Sequence, residues 1–340
     1  MTARTDGLIR PAPARLSLIS ALIISLILGA LFALTIGPAP VSLGETVAAL
    51  AGQADRQAEI VIWNIRMPRV LAAMLVGAAL AAAGASYQIM FRNPLVSPDI
   101  LGVSSGAALG AVCAIFLSLP ILAIQGFAFV GGMLAVALVS AIASAVRGMD
   151  TTLVLVLTGV VMGALAGAAT SLLKVMADPY DQLPAITFWL LGSLARVTPG
   201  DLVPVLPAVI VGLIPLIILR WRINVLSLGD DEARALGVDA GRLRLLVIAA
   251  ATLITASVVA IAGVVGWVGL VIPHIARMLV GPSFAVLLPT AAVMGAGYLL
   301  LVDTLSRTMA TVEIPLGILT AVIGAPFFLW LLGRGRRGWA

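Results

Sequence analysis

Few side chains in this sequence could do chemistry, and the scarce types are as informative as the common ones. His274 and Cys113 are the only histidine and cysteine, and Lys174 is the only lysine. One histidine and one cysteine exclude a multi-histidine or cysteine-built metal site. Lys174 follows Leu173, so no G-x-x-x-x-G-K-S/T phosphate loop exists and the chain cannot hydrolyse ATP through one. No Ser/His/Asp set suggests itself. What remains is charge in small groups. Gly229-Asp230-Asp231-Glu232-Ala-Arg234-Ala-Leu236-Gly237 lies in the most charge-dense stretch, residues 226–244. Its three acids at a glycine-bounded start suit the positive end of a short helix, or simply a solvated cap. Arg66 and Arg69 are three apart and share a helix face. Each offers a planar fork that fits a carboxylate, although rim arginines also anchor to lipid headgroups. Asp303 and Arg307 are four apart, the spacing of a structural pair on one helix. Asp303 and Lys174 are also the two candidates for an ion-coupling site inside a membrane.

The elements that must carry these residues are membrane helices. The chain has 340 residues, 61% of them hydrophobic and 10% charged, with mean hydropathy +1.17. A soluble domain carries about 25% charged residues. Apolar runs long enough to cross a core of about 30 Å recur throughout. Backbone satisfaction in lipid makes helices the natural way across. The expected class is an all-α polytopic membrane protein of one domain, with about ten spans. They fall near 16–36, 62–91, 98–117, 121–146, 152–177, 202–220, 241–263, 266–280, 285–307 and 314–332. The third is short or broken, and the eighth is short and interrupted at Pro273. A 1–15 tail precedes this 16–332 domain and a 333–340 tail follows it. The first run is too long for a usual signal-peptide core.

Ten spans put both termini on one side. Arg4, Arg10, Arg15, Arg92, Arg147, Arg220, Arg222, Arg234, Arg242, Arg244, Arg277, Arg334, Arg336 and Arg337 fall on that side. Arg56, Arg66, Arg69, Arg196 and Arg307 fall opposite, with Lys174 near that end. The richer side is cytoplasmic by the positive-inside bias, which places residues 226–240 in the cytoplasm and loops 37–61 and 178–201 outside. Arginines at span ends explain the net charge of +5, so nucleic acid is not an expected partner; lipid is. Gly102, Gly106 and Gly110 recur every four residues, as do Gly159, Gly163 and Gly167. Such stripes mean close helix packing or, more sharply, a pathway lined with small residues. His274 reads as structural.

A set of blocks in order carries a resemblance. They are Arg66-Met-Pro-Arg69-Val-Leu, Gly77-Ala-Ala-Leu, Arg92-Asn-Pro-Leu, Leu101-Gly-Val-Ser-Ser-Gly106 and Phe188-Trp-Leu-Leu-Gly-Ser193. Then come Gly229 to Gly237, Gly269-Leu-Val-Ile-Pro-His-Ile-Ala-Arg277, Asp303-Thr-Leu-Ser-Arg307, Ile314-Pro-Leu-Gly317 and Gly324-Ala-Pro-Phe-Phe-Leu-Trp330. Over residues 60–332 the chain resembles the FecCD-like permease subunits of type II ABC importers for iron siderophores, haem and cobalamin. The resemblance implies a second permease subunit, two cytoplasmic ATPase subunits and an extracytoplasmic binding protein. It implies no cofactor and no ATPase site in this chain, and a place in the bacterial inner membrane. It assigns Gly229, Asp230, Asp231, Glu232, Arg234, Leu236 and Gly237 to coupling with the ATPase. Arg66, Arg69 and Arg307 become outward docking residues for the binding protein. Thr151 and Thr152 become a cytoplasmic gate, and Gly159, Gly163 and Gly167 a pathway wall. Ferric siderophore leads as cargo, then haem or cobalamin. The Leu183-Pro-Ala-Ile-Thr-Phe-Trp block also resembles members that carry molybdate-type oxyanions.

Two other classes compete. A proton-coupled carrier would use Asp303 or Lys174. A membrane enzyme acting on lipid-linked substrates would need a cluster of acids or histidines that the sequence lacks.

Overall fold

The computed structural model describes residues 12–334, apart from positions 38, 40 and 147, and leaves out the side chains of 12–16, 331, 332 and 334. The ends of both expected tails, with Arg4, Arg10, Arg336 and Arg337, lie outside the described residues, as does Arg147; so do the side chains of Arg15 and Arg334.

All regular structure among the described residues is helical. In chain order the helices are α1 (Ala12–Thr35), α2 (Leu43–Leu50), α3 (Arg56–Glu59), α4 (Met67–Met90), α5 (Val103–Phe116), α6 (Ile121–Ala145), α7 (Thr151–Met176) and α8 (Gln182–Leu191). They continue with α9 (Pro199–Ile218), α10 (Arg220–Leu226), α11 (Asp230–Ala235), α12 (Ala240–Ala262), α13 (Val268–Val280), α14 (Phe284–Ser306) and α15 (Leu316–Arg334). A π-helical stretch, Ile60–Arg66, joins α3 to α4, so the second span runs unbroken from Arg56 to Met90. Seven of these segments are long and apolar enough to cross a membrane; α5, α8, α13 and α15 are apolar and shorter. The arginine-rich end is called inner below and the other end outer.

Two helices form the buried axis. Most residues of α4 from Pro68 to Met90 are buried, and so is most of α12 beyond its first turns. The sequence of α4 explains its place, because Ala and Gly dominate and leave its backbone open to close approach. A β-carbon at Gly77 would stand 2.1 Å from the Gly295 carbonyl oxygen of α14, and one at Gly84 would stand 1.9 Å from the Gly269 oxygen of α13. No other residue fits at either crossing. Around this axis, α1, α6, α7 and α9 turn large apolar side chains outward, among them Phe32, Leu138, Leu165 and Ile218. Such faces suit lipid or another membrane subunit.

The helices α2 and α8 fall in segments expected to be loops. Ser42 and Glu45 close a capping box at the start of α2, a local signal the span pattern does not reveal. Near the outer end, irregular backbone gathers where α8, α12 and α15 meet. Ser193 N–H donates to Ala262 O (2.9 Å) and Leu316 N–H to Gly192 O (3.0 Å). Non-helical backbone is tolerated at depth because these groups pair inside the protein. The expected break in the third span is also present, as a 3-10 turn Pro98–Leu101 followed by Gly102 at φ +80°.

Candidate functional site

The inner segment is built as a small platform. α10 buries Ile223, Val225 and Leu226, and Asn224 Oδ1 accepts the Phe284 N–H at 2.7 Å, which ties α10 to the start of α14. α11 then begins at Gly229, whose φ of +130° suits glycine. It ends in a Schellman motif: Val238 N–H donates to Ala233 O and Gly237 N–H to Arg234 O, both at 2.9 Å, with Gly237 at φ +74°. Ala233 and Val238 are the buried underside. Asp231, Glu232, Arg234 and Leu236 form the free side, with exposed Leu228 beside them. Asp231 and Arg234 approach at 3.4 Å with 94% and 71% of their side chains in the open. Asp230 is the exception among the expected coupling residues. Arg244 of α12 donates to both its carboxylate oxygens, at 2.9 and 3.2 Å, and Arg244 itself is buried. Asp230 therefore holds the platform to α12 through this pair. A buried guanidinium needs a carboxylate more than the solvent does.

On α7, Asp150 caps the first turn by accepting the Leu153 N–H. Thr151 and Thr152 follow as the first residues of the helix, the former exposed and the latter half-buried. The two glycine stripes part company here. On α5, Gly106 and Gly110 sit against the Gly131 and Phe127 carbonyls of α6, which is packing. On α7, Gly159 packs on the Ile100 carbonyl, whereas a β-carbon at Gly163 would meet only Ser105 Oγ, at 3.6 Å, and one at Gly167 would meet nothing. The outer two-thirds of the α7 stripe is open.

The outer arginines differ most from expectation. Arg66, Arg69 and Arg307 are buried, not exposed on a rim. Arg66 Nη1 donates to Leu34 O and Nη2 to Ala39 O, each at 2.6 Å. Arg307 Nη2 donates to Ala33 O at 2.6 Å and Nη1 donates to Ile36 O. These carbonyls belong to the last turn of α1 and the chain just beyond it, where a helix leaves acceptors unpaired and carries partial negative charge. Two arginines thus cap α1 from its side. Arg69 Nε donates to both oxygens of Asp303, at 2.9 and 3.2 Å, and its Nη atoms grip Glu313 through two bonds of 2.7 and 3.0 Å. Arg307 Nε also lies 3.8 Å from Asp303. Asp303, fully buried, is structural: it is enclosed by two guanidiniums. Arg66, Arg69 and Arg307 thus spend their guanidiniums on partners within the chain and do not stand as free forks on a rim. Glu313, two residues before Pro315, was not singled out from the sequence; an acid opposite three arginines on the same end was the available signal.

The platform without a nucleotide site, the open stripe and the helical bundle narrow the possibilities, and comparison with known proteins decides the family. Residues 23–334 match the FecCD transport family. The chain belongs to that family. The FecCD assignment covers nearly all of the described residues and makes the chain an ABC importer permease. It is 45% identical over 276 residues to the cobalamin import system permease protein BtuC of Halobacterium salinarum, covering 81% of this chain and 74% of that one. It is 44% identical over 277 residues to a Helicobacter pylori protein described as a "Probable iron chelatin transport system permease protein", covering 82% and 83%. A solved structure described as "An inward-facing conformation of a putative metal-chelate type ABC transporter" superposes with a TM-score of 0.86 at 39% identity, covering 94% of this chain and 99% of that one. As an ABC permease family, FecCD implies separate ATPase and binding-protein subunits.

Proposed function

We propose that this FecCD permease carries a ferric siderophore from an extracytoplasmic binding protein into the cytoplasm, across a bacterial inner membrane, driven by two separate ATPase subunits. Two permease subunits form the transporter, both termini lie in the cytoplasm, and the α7 faces line the pathway. The observation that carries this reading is the α11 platform. Asp231, Glu232, Arg234 and Leu236 stand free at the arginine-rich end of a chain with no phosphate loop of its own. A small rigid helix held by buried Ala233, the Asp230–Arg244 pair and a glycine at each end is suited to transmit a push. The α7 face supports the pathway, because small residues offer a bulky chelate room without specific contacts. Haem, cobalamin and oxyanions are the competing cargoes.

The test is uptake in sealed vesicles holding the permease with its ATPase and binding-protein partners. Uptake of a ferric siderophore should need internal ATP and survive a proton uncoupler. Uptake that proceeds without nucleotide and stops with the uncoupler would overturn the reading in favour of a carrier. The burial of Asp303 between Arg69 and Arg307 already argues against that carrier's best coupling residue.

A further inference from the structure

The two ionisable residues set apart in the sequence have different fates. Asp303 is enclosed by Arg69 and Arg307. Lys174, the only lysine, is half-buried near the outer end of α7, and no carboxylate among the described residues lies within ion-pair distance of it. The closest acid in sequence, Asp178, uses one carboxylate oxygen to accept the N–H groups of Tyr180 and Asp181. Lys174 also lines an open cavity of about 600 Å³ with Ser171, Val175, Ala177, Pro179 and Leu183, and it is the only charged residue there. Gly163, Gly167, Ser171 and Lys174 recur at helical spacing, so the ammonium stands on the open face of α7, above its small residues.

We infer that Lys174 is the selectivity element at the outer mouth of the α7 pathway, favouring cargo with net negative charge such as a ferric tricatecholate. This rests on the pathway reading of α7 given above. An unpaired ammonium beside a low-dielectric wall attracts carboxylate, catecholate or oxyanion oxygens more strongly than it would in open water. The plain alternative is a lysine that snorkels to headgroups and ignores cargo.

The single lysine makes the test direct. Permease alone, in sealed vesicles, is treated from outside with a membrane-impermeant amine reagent, and labelling of the Lys174 peptide is followed by mass spectrometry. A millimolar ferric tricatecholate, net charge −3, should slow labelling about tenfold, and a neutral ferric trihydroxamate should not. Equal labelling with and without the tricatecholate, or equal slowing by both chelates, overturns the inference. In the full assembly, Lys174→Gln should lower tricatecholate uptake about tenfold and leave trihydroxamate uptake unchanged, while Lys174→Arg keeps both. Unchanged tricatecholate uptake in the Gln variant also overturns it. Labelling needs neither ATP nor the other subunits, so a failure of ATP-driven import is read separately.

Discussion

At the outer end, Arg69 is gripped by Asp303 and Glu313 through four hydrogen bonds and is almost wholly buried. At the inner end, Arg234 meets Asp231 at 3.4 Å and leaves 71% of its side chain in solvent. Both are arginine–carboxylate pairs, and both looked like docking groups in the sequence. They differ in what surrounds them. In a low-dielectric site, the desolvation cost forces each charge to find partners within the chain, and the result ties helices together. In water the same pair is worth little, so its groups stay available to another protein. The outer cluster therefore belongs to the fold, and the inner segment is free for a partner.

Substitutions can break that contrast, and the largest effect belongs to the outer cluster. Arg69→Met strands the buried Asp303 beside a single, longer contact to Arg307. Removing one partner of a buried pair typically costs about 3–5 kcal/mol. The variant should lose its folded peak in size-exclusion chromatography, or its melting temperature in detergent should drop steeply, with little change between low and moderate salt. A wild-type melting curve would show that the cluster does not hold α4 to α14. Arg69→Met combined with Asp303→Leu should recover part of the loss, because no buried charge is then stranded.

A middle case lies between the two regions. The Asp230–Arg244 pair is buried on one side and partly open on the other. Asp230→Asn leaves Arg244 with a neutral acceptor, and losing a hydrogen bond to a charged group costs about 1–3 kcal/mol. The same melting measurement should fall between the outer variant and wild type. ATPase stimulation should weaken too, since α11 would be held less firmly. Full stimulation with a lowered melting point would show that the anchor serves stability alone.

Much of this arrangement was legible in the sequence. Hydropathy pointed to the membrane class, the seven long apolar helices, several shorter ones and the broken third span, because each depends on local composition. The short charged segment stood out for the same reason. The Asp303–Arg307 spacing correctly suggested pairing. The direction of the outer arginines was not legible. Arg66 reaches carbonyls at positions 34 and 39, and Arg69 reaches acids at 303 and 313, all across distant elements. No periodicity encodes a partner more than two hundred residues away. The helix α8 was missed because at ten residues it is too short to register as a span. The glycine stripes looked alike in sequence and differ in what faces them, carbonyls of α6 for Gly106 and Gly110 and open space for Gly167 and most of Gly163.

The smallest effect on stability should come from the region expected to matter most for coupling. Glu232→Arg with Arg234→Glu reverses two charges on the free side of α11 and keeps the local net charge. Neither side chain has a buried contact to lose, and an exposed pair one turn apart contributes at most about 0.5 kcal/mol. The double variant should melt within a degree or two of wild type and insert normally. It should nevertheless bind the ATPase more weakly, or let ATP hydrolysis run without transport, because charges at an interface set partner and register more than they set stability. The loss should lessen as salt rises, since the repulsion it introduces is screened. Compensating reversals on the ATPase surface should restore part of the coupling. Transport and ATPase stimulation at wild-type rates in the double variant would mean that α11 is solvated without being used. The outer and inner regions would then differ in burial only, and the partner would have to push elsewhere.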